Sequence, residues 1–121
     1  MRDGSAYRKQ AQVFQALSHP VRLRILDILS RQEACVCHLT TILGKRQPYV
    51  SQQLALLREA GLVIDRRDGT LIYYRLADDQ LADLLDSAKG LVQSSDSQNA
   101  AFPPIPVSPV DNCPCPRCQQ E

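Results

Sequence analysis

The sequence predicts a mainly α domain with one small β-hairpin, and three observations carry that expectation. Apolar residues recur at helical spacing in four stretches before residue 61 and in a fifth after residue 78. Within Cys35 to Val63, CVCHLTTILGKRQPYVSQQLALLREAGLV, two short helical repeats meet at Gly44. Just beyond, Arg67-Asp68-Gly69-Thr70 separates two short runs of strand-forming residues. The chain has 121 residues, room for one domain, and its Pro-rich end confines the foldable part to about the first 93.

Taken in order, Ser5 is expected to cap a first helix in which Tyr7, Ala11, Phe14 and Leu17 recur at helical spacing. Ser18 and Pro20 stop it and start a second helix, whose inner stripe is Val21, Ile25, Ile28 and Leu29. Arg22, Arg24 and Arg31 are expected on its solvated face.

Leu39, Ile42 and Leu43 then put an apolar stripe on a third helix that stops at Gly44, the residue best able to take a positive φ. Pro48 fits the first turn of a fourth helix, where a missing N–H costs nothing. Val50, Leu54 and Leu57 form its inner face until Gly61, and that spacing turns Gln52 outward with Tyr49 and Ser51 on the flanks. Two such helices around a Gly turn are the helix-turn-helix layout, whose second helix enters the major groove of DNA. The residues placed to touch DNA are Lys45, Arg46, Gln47, Tyr49, Ser51 and Gln52.

Leu62 to Arg66 and Leu71 to Leu76 are expected to be strands joined by an Asp-Gly turn, since a type I′ turn needs positive φ at both central residues. Arg66 and Arg67 near the tip make this hairpin a basic wing for the neighbouring backbone or minor groove. One of Tyr73 and Tyr74 should be core and the other surface. Asp78 or Asp79 caps a last helix with Leu81, Leu84, Leu85, Ala88, Leu91 and Val92 on one face. That face is wider than a lone helix needs. With the first helix it is expected to form a homodimer seam, because a helix-turn-helix reads only a half-site. The fold expected is a winged helix-turn-helix dimerising through its terminal helices.

Residues 94–121 are read as a separate tail. SSDSQNAAFPPIPVSPVDN is a flexible or polyproline-like tether, and it leads to Cys113-Pro-Cys115-Pro-Arg-Cys118.

The net charge is only +1, but residues 20–77 hold nine Lys/Arg against five Asp/Glu, a balance of +4, and the remainder is at −3. Anion binding is thus expected in the middle of the chain and rests on placement rather than bulk charge. The polar start MRDGSAYRKQ lacks an apolar signal region, and no apolar run approaches the ~20 residues needed to span a bilayer. A cytoplasmic protein without membrane contact is expected. Five cysteines, an odd number, clustered as C-x-C and C-x-C-x-x-C, favour a soft metal or redox chemistry over a disulfide framework. A thiol enzyme built on Cys115-x-x-Cys118 is set aside, since that chemistry needs a helix N-terminus on a βαβ scaffold, so no enzyme is expected.

The stretches ALSHPVRLRIL, SQQLALLREAGLV and RRDGTLIYYRL each resemble a signature of the ArsR/SmtB family of winged-helix metal-sensing repressors, over roughly Ala11 to Leu91. The resemblance implies a homodimer that holds its double-stranded operator without metal and lets go when metal binds. CVCHL is similar to the arsenic-sensing branch, where CVCxLC supplies three thiolates to As(III). Cys35 and Cys37 match the first two, and Thr40 stands in the third place. Cadmium- and lead-sensing relatives add cysteines from an N-terminal arm, whereas residues 1–34 here contain none. Zinc-sensing relatives use His and carboxylates on the last helix, which here has Asp79, Asp83 and Asp86 but no His.

Soft thiolates suit soft ions, and an As(III) centre needs one more sulfur than Cys35 and Cys37 provide. Either a tail thiol completes their site, or Cys113, Cys115 and Cys118 form a separate trap. Sb(III), Cd(II), Pb(II) and Zn(II) are the alternative inducers, the divalent ions with up to four sulfurs. Residues i and i+2 point about 200° apart on a helix, so gripping one ion with both thiols should distort the start of the third helix. His38 is expected at the surface or on phosphate, and His19 has no assigned role. The alternative reading keeps the DNA binding but makes the cysteines a redox or persulfide sensor.

Overall fold

Among the described residues, five helices and three strands follow one another. They are α1 (Arg2–Leu17), α2 (Pro20–Leu29), β1 (Ala34–Cys35), α3 (Val36–Leu43), α4 (Gln47–Glu59), β2 (Val63–Asp68), β3 (Leu71–Leu76) and α5 (Asp79–Ser95). This computed structural model describes residues 2–95 and 102–106. The strands form one antiparallel sheet in the order β1-β3-β2. Helices with a small hairpin make this a winged helix-turn-helix.

One core holds the fold together. Ile25, Leu26 and Ile28 of α2, Leu39 of α3, and Val50, Leu54 and Leu57 of α4 are fully buried, and Val63, Tyr74, Leu76, Leu81 and Leu85 close around them. Helices α3 and α4 thereby stand on α2, and α5 returns across it. Lys89 Nζ lies 2.6 Å from Asp27 Oδ2, an ion pair between α5 and α2 that neutralises a carboxylate inside the apolar stripe.

The turn between α3 and α4 follows directly from its residues. Gly44 is the C-cap of α3 at φ 64°, and its N–H bonds to Thr40 O at 2.9 Å. Arg46 is extended, and Pro48 sits in the first turn of α4. A Cβ at Gly44 would meet nothing within 4 Å. Gly44→Ala is therefore expected to cost backbone strain alone, about 1–2 kcal/mol, read as a lower urea midpoint at unchanged slope.

Several expectations are corrected. Ser5 lies inside α1 rather than capping it, because the helix begins at Arg2. In the stripe of α1 Leu17 is buried, whereas Tyr7 is 71% and Phe14 50% exposed, in keeping with the expected seam with α5. His19, not Ser18, is the N-cap of α2. The second strand extends to Asp68, which pairs with Leu71, so Gly69 and Thr70 are the hairpin's central residues rather than Asp68 and Gly69. Arg22 is not simply solvated, since its Nε donates to Gln53 Oε1 at 2.9 Å. Arg24 donates to the carbonyls of Pro103 and Pro104 at 3.5 Å each.

Those last contacts show that part of the presumed tether folds back. Ile105 packs against the core, and Lys89 lies 5.0 Å from the Phe102 ring centroid. Phe102 and Pro103 border a groove of about 400 Å³ between α2 and α5. Asp78, rather than Asp79, caps α5, accepting from Gln80 N–H at 2.8 Å.

Candidate nucleic-acid interface and thiol site

The outer face of α4 and the wing carry most of the residues singled out for DNA. Lys45, Arg46 and Gln47 are exposed around the turn and the start of α4, and Gln52 is exposed one turn further. Tyr49 and Ser51 are half-buried on the flanks. Gln53, by contrast, is buried and accepts from Arg22, which locks the inner side of α4 to α2. The spacing that turns Gln52 outward places Gln53, three residues after Val50, beside the apolar stripe, and the packing against α2 supplies its partner.

The two arginines of the wing differ. Arg67 is exposed near the tip. Arg66 is gripped: its Nε and Nη2 donate to the two Glu33 carboxylate oxygens at 2.7 and 2.6 Å, and its guanidinium stands 4.7 Å from the Tyr73 ring centroid. The hydrogen bonds it donates to Glu33 raise the Arg66 pKa above its already high value, with the nearby carboxylates adding to it, so the guanidinium stays charged.

The thiols also sit differently from the helical expectation. Cys35 is in β1, with φ −83° and ψ 166°, and caps α3, whereas Cys37 is in the first turn of that helix. They do not project at 200° from one regular helix, because the backbone changes from extended to helical between them. Cys35 is 2% exposed and packs on Tyr73, and partly buried Cys37 and Leu71 complete the same small cluster. The carbonyl of Cys37 accepts from the hydroxyls of Thr40 at 2.8 Å and Thr41 at 2.9 Å. Thr40, in the place of a third thiol, is thus occupied in bracing the turn.

Tyr73 and Tyr74 are both buried, correcting the expectation of one core and one surface residue. Tyr74 faces the main core and Tyr73 the thiol cluster, so the sheet is covered on both sides. Burial pushes the Tyr74 phenol above its usual pKa, and the Asp65 charge adds to the effect. His38 is buried, not at the surface, with Nε2 3.3 Å from Gln32 Nε2. Among the described residues no group of three or more His, Cys, Asp or Glu could hold a metal ion. Cys113, Cys115 and Cys118 lie outside the described residues.

Comparison with known proteins now bears on this arrangement. Residues 19–65 match the family described as bacterial regulatory protein, arsR family. A transcriptional repressor SmtB homolog of Synechocystis is 40% identical over 89 residues, 74% of this chain and 67% of that protein. The chain belongs to the ArsR family.

As an ArsR-family member it is a DNA-binding transcriptional regulator. The arsenical resistance operon repressor of Escherichia coli is 48% identical over 67 residues, 54% of this chain and 57% of that protein. The homodimeric winged helix-turn-helix DNA-binding domain Mb0332 of Mycobacterium bovis superposes with a TM-score of 0.73 at 30% identity, covering 84% of this chain and 94% of that one. No described helix is long and apolar enough to cross a membrane.

Proposed function

We propose that this ArsR-family protein is a homodimeric repressor that leaves its operator when As(III), or a similar thiophilic ion, is bound through Cys35 and Cys37. The observation that carries the reading is the gathering of both cysteines in one small cluster with Tyr73 at the start of α3, the helix that leads through Gly44 into α4. The likeness to an arsenical resistance repressor supports the choice of ion. Each thiol that enters the coordination shell of As(OH)₃ replaces one hydroxide, forming an S–As bond and releasing water. Cys35 must leave a site that is 2% exposed to do so, which couples ion capture to the packing of β1 and α3. An ion that prefers the DNA-incompetent state by a few kcal/mol is sufficient to shift the equilibrium.

DNA contact is assigned to Lys45, Arg46 and Arg67 on phosphates and to Gln47, Tyr49, Ser51 and Gln52 in or beside the major groove. Arg66 is assigned to the neighbouring backbone from its place on Glu33, where 48% of its side chain is exposed. The dimer is supported by apolar residues that the single chain leaves uncovered, Tyr7 and Phe14 on α1 and Leu84 and Leu91, 38% and 73% exposed, on α5.

A third sulfur from Cys113, Cys115 or Cys118 completes an As(III) site. Cys113 is eight residues beyond Ile105, which packs on the core, so a fully extended connection reaches about 27 Å from that anchor. The test is a titration of fully reduced dimer on fluorescent operator DNA with arsenite, antimonite, Cd(II), Pb(II) and Zn(II). Arsenite or antimonite is expected to reverse the anisotropy, and no release by any of the ions overturns the reading. Truncation after Asn112 is expected to abolish the arsenite response if the tail supplies the third thiol, and full release by the truncated dimer assigns the tail cysteines to a separate trap. Intact mass separates the redox alternative, which requires loss of hydrogens or addition of sulfur instead of reversible addition of the metalloid.

A further inference from the structure

We infer that a side-chain row across the sheet, Cys35, Tyr73 and Arg66 closed by Glu33, transmits ion capture to the wing, with Tyr73 and Glu33 as its positioning residues. The inference rests on the proposed thiol sensor and identifies a route from that sensor to DNA other than movement of α4.

The strand register creates the row. Cys35 lies opposite Tyr73 in the β1/β3 pair, and Arg66 lies opposite the same Tyr73 in the β2/β3 pair. Directly opposed residues share one face of a sheet, so the three side chains stand in line on the side away from the main core. Tyr73 is only 4% exposed there, between the thiol cluster and the Arg66 guanidinium 4.7 Å from its centroid. The far end of the row then returns to its start. Glu33, two residues before Cys35, holds Arg66 through two hydrogen bonds of 2.6 and 2.7 Å.

Residues 33–37 therefore carry both the thiols and the carboxylate that fixes the wing's arginine. The backbone attachment of this segment is slight, because β1 is an edge strand of two residues paired only with β3, against six residues in each of the other strands. Drawing the Cys35 sulfur out to an ion removes its packing from Tyr73 and shifts Glu33 by the same movement. Both supports of Arg66 are lost together, and the hairpin that carries Arg67 loses its fixed angle to α4. A DNA-binding unit whose wing and recognition helix no longer share one geometry cannot satisfy both sets of phosphate and groove contacts at once.

The experiment compares wild type, Glu33→Gln, Tyr73→Leu and Tyr73→Phe in the full-length reduced protein. Arsenite uptake is read from the thiolate-to-arsenic absorption without DNA, and coupling as the ratio of operator affinities without and with arsenite. Glu33→Gln and Tyr73→Leu should take up arsenite like wild type yet lose at least five-fold in the ratio, while Tyr73→Phe, which keeps the ring, retains it. Hydrogen exchange across residues 63–76 should quicken on arsenite binding in wild type and be already fast in Glu33→Gln. Wild-type ratios in Glu33→Gln and Tyr73→Leu overturn the inference. Should Tyr73→Leu not fold, Glu33→Gln decides, because it keeps the shape of the side chain and removes only its charge. A wild-type protein that binds arsenite with a ratio of one overturns the sensor itself, which distinguishes the two failures.

Discussion

Replacing Cys37 by serine is expected to leave operator affinity within about two-fold of wild type and to abolish release by arsenite, removing a coupling of roughly 1–3 kcal/mol, or about 5–150-fold in affinity. Cys37 is partly exposed at the start of α3, so a hydroxyl there can meet water and the fold is undisturbed. Cys35 requires a different substitution. It is 2% exposed and packed on Tyr73, where burying a serine hydroxyl in place of the thiol would cost about 1–3 kcal/mol of desolvation. Cys35→Ala avoids that penalty and separates loss of the ligand from loss of stability. Anisotropy of labelled operator, titrated with each variant before and after arsenite, reads both quantities. Undiminished release by Cys37→Ser or Cys35→Ala excludes these thiols as the switch.

The second large effect is on stability. Leu54 is fully buried on the inner side of α4, and Leu54→Ala is expected to cost about 2–5 kcal/mol through lost transfer energy and the cavity left between α4 and α2. Against a total of about 5–15 kcal/mol for a domain, the midpoint of urea unfolding should fall sharply at an unchanged slope. Two residues earlier on the same helix, Gln52→Ala should alter stability by less than about 0.5 kcal/mol, because Gln52 is exposed. Its effect belongs to recognition instead. Loss of a bidentate base contact is worth about 1–3 kcal/mol of discrimination, so operator and scrambled DNA should bind more nearly alike. If Gln52→Ala left the preference for operator unaltered, Gln52 would be excluded from base reading.

The helix-turn-helix was legible because its determinants are local. Gly44 has to end α3 and Pro48 can only begin α4, and the spacing of Val50, Leu54 and Leu57 orients α4 without reference to the rest of the chain. The wing was legible for the same reason, although its turn is centred one residue later than the Asp-Gly pair suggests, because Asp68 joins the ladder opposite Leu71. What failed to show were features built from distant pairs. Two residues of β1 carry no alternation to read, and Cys35 becomes a strand residue only because it pairs with Tyr73. Burial of His38 and Tyr73, the Arg22 bond to Gln53 and the Asp27 to Lys89 ion pair likewise have no local signature. The exposed stripe of α1 had the spacing of a core helix, since periodicity reports that a face is apolar and not which surface will cover it.

By itself, then, the sequence determined the order of the five helices and the hairpin, the outward side of α4 and the presence of two closely spaced thiols. Only the tertiary structure decided that those thiols share a cluster with Tyr73 and that one wing arginine is held by Glu33 while the next is exposed. Helix ends and apolar periods depend on neighbours a few residues apart. Strand register and side-chain ion pairs are chosen by contacts between segments far apart in the chain, and these exist only once the sheet has closed on the helices.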